Sequence, residues 1–311
     1  MSRTNPKLID AIIPFKDNTR NLAQLEKWLI KSNVPPQIRI ILIHDIQFSS
    51  KCIFRLRKIK TSFERDRFVL ITGKFGSPGA TRNAGLDKVT SNWVVFWDSD
   101  DLPEPKKYLD MILMSESKNA KICIGRCEII EIKNKEHSKA TESSCLLNVA
   151  YSPGIWRMAF NSKLLQGTRF SDSLWGEDQR FLIDLDIFEH NIFQFNQVVY
   201  SYYKGVPNQL VGTKNFVGNL AAEIIHSLEA LESRNGIRKI FLYSVMITRM
   251  AGTIVKNSEF REFRKTFINV AFFYFKRPIR LFIGLIPSIT LIATIIFTKK
   301  IVKRIADICR V

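Results

Sequence analysis

The chain has 311 residues, with 47 Lys and Arg against 29 Asp and Glu, a formal net charge of +18. With 46% hydrophobic and 24% charged residues it is not a disordered chain, and it is long enough for one large domain or a domain plus an appendage. Five cysteines, an odd number without a Cys-x-x-Cys pair, exclude a disulfide or zinc framework and imply reduced thiols in a cytoplasmic protein. The charge points to an anionic partner: nucleic acid, an anionic membrane or an anionic substrate.

The opening MSRTNPK lacks the apolar run of a signal peptide, so secretory export is not expected. Ile9 to Phe15 reads as a buried strand closed by Pro14 and the polar Lys16-Asp17-Asn18. Leu22, Leu25, Trp28 and Leu29 then fall at helical spacing, so a helix over Asn21 to Lys31 follows. Arg39 to His44 predicts a second strand, Ser50 to Thr61 a basic helix, and Phe68 to Thr72 a third strand. Gly79 to Val89 reads as a helix and Trp93 to Trp97 as a fourth strand running into Asp98. Strands alternating with helices predict an α/β fold built on a parallel sheet.

After Pro103 the alternation loosens. Lys121 to Ile132 predicts one or two strands, Asn134 to Ser144 a polar surface loop, and Ile155 to Phe160 a strand. A helix near Asp178 to His190 precedes a strand over Gln197 to Lys204. From about Thr213 long amphipathic helical patterns take over, which places a boundary between residues 1–212 and 213–311. Leu281 to Thr298 carries no charge over 18 residues, with Lys276, Arg277 and Arg280 before it and Lys299, Lys300, Lys303 and Arg304 after it. As a helix it reaches about 27 Å, short of a roughly 30 Å hydrocarbon core, and Pro287 is expected to kink it. A short spanning helix, an interfacial segment and a buried helix all fit this pattern. The basic flanks suit an anionic membrane surface.

Asp98-Ser99-Asp100-Asp101 follows an apolar strand directly. Three carboxylates within four residues at a strand's C-terminal end repel one another unless a positive charge sits between them. A divalent cation taking oxygen ligands meets that need; a solvated acidic turn with Asp as helix N-cap meets it too. Upstream, Ser77 to Gly85 (SPGATRNAG) matches neither a P-loop nor a Rossmann fingerprint. Gly79 at a helix start, with Arg82 and Asn83 in its first turn, still provides anion-binding chemistry. Further on, Trp175-Gly176-Glu177-Asp178 places two acids at the start of a helix, where they suit its positive end.

Taken in order, IDAIIPFKDN, PGATRNAGLDKVTSNWVVFWDSDD and WGED resemble the family-two glycosyltransferases of GT-A fold, over roughly residues 8 to 210. The resemblance implies transfer of one sugar from a nucleotide-diphospho-sugar, on a mostly parallel sheet flanked by helices. It places Pro14 and Phe15 in the loop that receives the nucleotide base. It makes Asp45 the acid that contacts base or ribose, although His44 stands where many relatives carry a first acid and Ile46 where they carry a small residue. Arg82 then flanks the nucleotide site. Asp98, Asp100 and Asp101 form the DxD-like element for the ribose and a Mg²⁺ or Mn²⁺, with Asp100 and Asp101 nearest the metal. Asp178 becomes the general base, Glu177 its neighbour, and Lys204 a basic residue near the donor phosphates.

A direct displacement needs one base, because the metal offsets the charge of the leaving diphosphate. The QxxRW motif of processive synthases is missing, so single additions are expected. A lipid-linked or cell-surface glycan acceptor, an anionic membrane and the cytoplasmic face of the inner membrane complete the expectation, with no nucleic acid. The attachment is peripheral or through one short C-terminal segment. The alternatives are a non-catalytic or nucleic-acid-binding protein on the same scaffold and a sugar nucleotidyltransferase. No helix-turn-helix, zinc or RNP signature supports the former, and the Gly-rich, Arg-containing N-terminal loop of the latter is missing.

Overall fold

Runs of Ile, Val and Leu bounded by charged or Pro-Gly turns set the first half of the sheet. In the computed structural model, which describes residues 8–16, 19–31, 33–46, 52–64, 66–133, 136–205, 216–257 and 260–296, these runs become β1 (Ile9–Lys16), β2 (Ile38–Asp45), β3 (Phe68–Gly73) and β4 (Trp93–Phe96). Between them lie α1 (Thr19–Lys31), α2 (Ile53–Thr61) and α3 (Pro78–Leu86). All pairings among the four strands are parallel, in the order β3-β2-β1-β4. Pro14 is tolerated in central β1 because the pairing with β4 ends at Ile12, so its missing N–H breaks no bond on that side.

The rest of the sheet is mixed. β5 (Leu102–Pro103), α4 (Pro105–Glu116), β6 (Ile122–Lys133), β7 (Glu136–Glu142) and α5 (Leu146–Tyr151) follow in sequence. After them come β8 (Met158–Asn161), α6 (Glu177–Asp184) and β9 (Ile192–Lys204). The order continues β4-β8-β6-β9-β5, with β8 antiparallel to both neighbours, β9 parallel to β6, and β7 beside β6. The α/β expectation holds, with its parallel character confined to β3-β2-β1-β4 and the β6–β9 pair.

Two local expectations change. The stretch expected as a polar loop forms β7, which pairs with β6 from Cys127↔Glu142 to Lys133↔Glu136; backbone pairing with an open edge overrides its polar composition. The strand expected from Ile155 begins as a 3-10 turn, Ile155–Arg157, before β8. That turn lays the Trp156 ring across Tyr200 and Tyr202, with centroids 4.9 and 5.4 Å apart. Gly154 is needed there, since an added Cβ would sit 2.4 Å from the Trp156 ring.

Internal contacts divide the chain into two units: Met1–Val149 with Gly154–Thr213, and Ala150–Pro153 with Lys214–Val311. In the first, buried Asp10 fixes the lower ends of the parallel strands. It accepts from Arg39 Nε and Nη2 (2.6 and 2.8 Å) and from the Thr90 and Ser91 N–H groups (2.8 and 2.9 Å). Of the described cysteines, Cys52, Cys123 and Cys127 are buried and Cys145 is exposed. Burial pushes the Cys123 and Cys127 thiols up to about 12, so they stay protonated and inert.

The second unit is helical: α7 (Phe216–Glu232), α8 (Ile237–Asn257), α9 (Phe260–Phe275) and α10 (Pro278–Ile296). Tyr243, Val245, Met246 and Ile247 bury α8 at its centre. The charged run before Leu281 has a structural role that its position in the sequence does not show. Arg280 donates to the carbonyls of Leu231, Glu232 (2.8 Å) and Arg234 (3.0 Å), and Arg277 pairs with Glu232, so both close the C-terminal end of α7. At Pro287 the helix continues; the turn just before it, Leu281–Leu285, is π-helical and absorbs the i→i−4 bond that Pro287 cannot make. Lys299, Lys300, Lys303 and Arg304 lie outside the described residues.

Candidate active site

The site grows from the C-terminal ends of the parallel strands, where open α/β sheets leave a crevice. Trp97 still bonds β1, its N–H reaching Ile12 O at 3.0 Å, and the chain then turns through Asp98 to Asp101. Four bonds hold that turn. The Asp98 N–H donates to the Tyr200 hydroxyl (2.9 Å), which in turn donates to Asp101 Oδ2 (3.0 Å). Tyr203 N–H donates to Asp101 Oδ1 (2.8 Å), and Gln24 Nε2 to the Asp100 carbonyl (2.7 Å). Asp101, 1% exposed, therefore uses both oxygens as a post tying the acidic turn to β9. Asp98 and Asp100 remain partly exposed. Removing the hydroxyl of this relay, as in Tyr200→Phe, leaves two buried partners unmet. A loss of about 1–3 kcal/mol in a denaturant melt is expected.

α3 supplies the cation. Ser77 caps it, Oγ accepting from Ala80 N–H at 3.0 Å, with Pro78 in the first helical turn. Gly79 and Gly85 let it lie close: a Cβ at Gly79 would meet the Ser171 carbonyl at 2.0 Å, and one at Gly85 would meet Ile12 at 2.5 Å. That approach carries Arg82 inward until it is 4% exposed. Its Nη2 reaches Asp98 Oδ1 at 3.1 Å, and its Nη1 reaches Glu177 Oε1 at 3.0 Å and Asp178 Oδ1 at 3.2 Å. Phe170 lies 5.5 Å beneath the guanidinium and stacks on Phe181 of α6 at 4.0 Å. Asn83, read from the sequence as an anion-binding group, instead exchanges two bonds of 2.9 Å with the Phe170 backbone.

Gly176, at φ 85°, turns the chain into α6 so that Glu177 and Asp178 occupy its first turn. One guanidinium faces three carboxylates, so the cluster holds protons that isolated acids would release. Burial pushes the Asp178 carboxyl up to about 8, against the pull of Arg82 and with the push of Glu177 and Asp98. Glu177 is raised by burial as well. Asp100 is pushed up to about 6 by burial and by Asp98, and it makes no ion pair among the described residues.

Asp45 ends β2 with Oδ1 accepting from Phe75 N–H (2.7 Å) and Gly76 N–H (3.4 Å), so it anchors the loop leading to α3. Phe15 is fully buried with its ring 5.6 Å from that of His44, which leaves Pro14 as the partly exposed member of the pair. Asp17, Asn18, Pro207 and Asn208 lie outside the described residues. Lys204 is not brought into the Arg82 cluster; it pairs with Glu131 across β6 and β9 at 3.5 Å. Gln24 and Tyr200 are functional supports that sequence reasoning misses. The tyrosines on alternate positions of a strand after the acidic turn are the one available signal.

Among the described residues no three His, Cys, Asp or Glu side chains are grouped to hold a metal by themselves. A Mg²⁺-type ion does not need such a cage; one or two carboxylates plus substrate phosphates suffice. Asp100, without a positive partner and crowded by Asp98, fits that role.

The model of the family Glycosyl transferase family 2 matches residues 10–187 of the chain. The fold is similar to that of S. aureus TarS 1–349, with a TM-score of 0.63 at 15% identity over 84% of this chain and 78% of that one. The same TarS fragment in complex with UDP-GlcNAc gives 0.63 at 14% over 86% and 80%. The mannosyltransferase PcManGT from Pyrobaculum calidifontis, in complex with GDP-Man and Mn²⁺, gives 0.54 at 10% over 94% and 87%. No curated protein matches the sequence. With more than half of its length matched, and with the GT-A architecture around Arg82 and the acidic turn, the chain belongs to the family 2 glycosyltransferases.

Proposed function

We propose that the protein transfers one sugar from a nucleotide-diphospho-sugar to an acceptor hydroxyl with inversion at the anomeric carbon. The observation that carries this reading is the Arg82 cluster. It ties the first acid of the DxD-like turn to Glu177 and Asp178, so the donor side and the base side share one guanidinium. In the transfer the acceptor oxygen attacks the anomeric carbon and gives its proton to Asp178. The bond from that carbon to the diphosphate breaks, and its electron pair leaves with the phosphate. Glu177 holds Arg82 in place, and Asp98 faces the donor ribose. Asp100, together with the donor phosphates, would hold a Mg²⁺ or Mn²⁺, which would supply charge compensation for the leaving group. A single base is enough for this displacement, in contrast to the paired acids of glycosidases.

The TarS and PcManGT structures are complexes with UDP-GlcNAc and with GDP-Man and Mn²⁺, and these donors are the first to try here. The proposed acceptor is a lipid-linked or cell-surface glycan, at the cytoplasmic face of the inner membrane. A panel of nucleotide sugars with Mn²⁺ tests the donor half by thermal shift. A true donor at a hundred times its Kd adds about 2.7 kcal/mol of stability. Asp100→Ala is expected to remove the part of that shift that depends on Mn²⁺. A panel without any shift, or an Asp100→Ala protein that keeps the full shift, overturns the donor and metal assignments respectively.

A further inference from the structure

We infer that α9 and α10 carry a face that lies in the plane of an anionic bilayer, at the boundary of headgroups and acyl chains, without α10 crossing it. This rests on the membrane part of the reading above and deepens it. On α10, Ile279, Phe282, Ile286, Ile289 and Ile296 are all exposed. Their steps of three, four and three residues, and then of seven, or about two turns, draw one stripe along the helix. On α9, Ile268, Phe272 and Phe275 are exposed at the same kind of spacing. Only 11% of the apolar window in Pro278–Ile296 is buried, so the segment is not the core helix that its composition also allowed.

The polar groups on this helix are compatible with hydrocarbon. Thr290 Oγ1 donates to Ile286 O (3.0 Å) and Thr294 Oγ1 to Thr290 O (2.9 Å), so neither hydroxyl needs water. Charge complements the apolar stripe. Lys276 stands at its edge with Nζ 4.1 Å from the Phe272 ring, and the sequence beyond α10 continues with Lys299, Lys300, Lys303 and Arg304. Arg277 and Arg280, being tied to α7, are not available for lipid.

The opposite side of α10 decides between lying in the bilayer surface and crossing it. Gly284 lies against Ser244, where a Cβ would meet the serine Oγ at 2.3 Å, and Ser288 Oγ bonds Thr248 Oγ1 at 2.9 Å. α10 is therefore fastened along α8 in parallel register through small residues and a hydroxyl pair. A crossing α10 would take α8 with it, and with it Arg249, one residue past that contact, whose guanidinium covers the Tyr151 ring at 5.0 Å. A charge near the bilayer centre is costly, whereas an in-plane orientation buries only the stripe.

The test uses the full chain with phosphatidylcholine vesicles, with and without roughly one third phosphatidylglycerol. Flotation with the anionic vesicles is expected, weakened by salt and released by alkaline carbonate. The double substitution Phe282→Gln and Ile286→Gln is expected to lower vesicle affinity at least about tenfold with the melting temperature unchanged. Ile289→Gln, on the same face, is read in its place if the double variant melts early. Carbonate-resistant retention, unchanged flotation of the folded variants, or a dimer lost in the variant while flotation persists would each overturn the inference. Donor thermal shift on the same samples keeps the two readings apart: its failure strikes the transferase proposal and leaves the flotation result standing.

Discussion

Asp178→Asn is expected to lower kcat by about 10²- to 10⁴-fold while donor binding stays near wild type. Asp178 is the acid of the pair whose contact to Arg82 is the longer, 3.2 Å against 3.0 Å for Glu177, so it is the less firmly held. The substitution keeps the volume and removes only the capacity to accept a proton. The pH dependence of the wild type follows from the raised carboxyl. The base works ionised, so turnover rises with pH as Asp178 is titrated at about 8 and levels off above it. Stability runs the other way. A carboxyl raised in the folded state binds more protons there than in the unfolded chain, so its contribution is full below the ordinary carboxylate range and is lost as pH rises through about 8. A rate profile and a melting profile over the same pH range check both signs. A flat rate limb, or full turnover in Asp178→Asn, assigns the base elsewhere.

Arg82→Gln has the broader effect. It strips the shared cation from Asp98, Glu177 and Asp178, and breaking a buried pair from one side costs about 3 kcal/mol or more. For a domain of this size that lowers Tm by roughly 10 °C. The deficit is expected to shrink toward acid pH, where the raised Glu177 and Asp178 carboxyls are neutral, and to widen toward alkaline pH. Arg82→Lys is not expected to rescue it, because a single ammonium cannot fork to three carboxylates. The rate limb assigned to Asp178 moves to higher pH in Arg82→Gln, since Arg82 is the group that pulls that carboxyl down. Differential scanning calorimetry at three pH values with parallel rates separates this from a simple loss of packing, which carries no pH signature.

The parallel half of the fold is legible because β1, β2 and β4 are buried on both faces and carry the apolar runs Ala11 to Phe15, Ile40 to Ile43 and Trp93 to Phe96. β7 is not legible: EHSKATE carries no burial signal, and only the open edge of β6 makes it a strand. In the site, the acidic turn and the later Glu177-Asp178 pair are legible as motifs, and the structure gathers them around Arg82. Which acid does what is a matter of side-chain direction. Asp101 turns back to Tyr200 and Tyr203, and Asp100 does not, although both sit at the same strand end with the same chemistry. Lys204 shows the same limit, since its pairing with Glu131 depends on a register that becomes visible only when β6 and β9 are aligned. Arg277 and Arg280 read as lipid-facing charge, and geometry makes them caps for α7.

The strand order has a consequence for how the chain is made. β4, which leads into the acidic turn, is flanked by β1 and by β8, the latter some sixty residues later, and the turn itself is closed by Tyr200 and Tyr203 of β9. During vectorial synthesis the donor half therefore waits as a partial sheet until residues beyond 200 have left the ribosome. α10 is translated only after them. The apolar stripe thus reaches solvent when the catalytic unit already has all its strands, so the interval in which open sheet edges and a sticky helix coexist on one nascent chain is short.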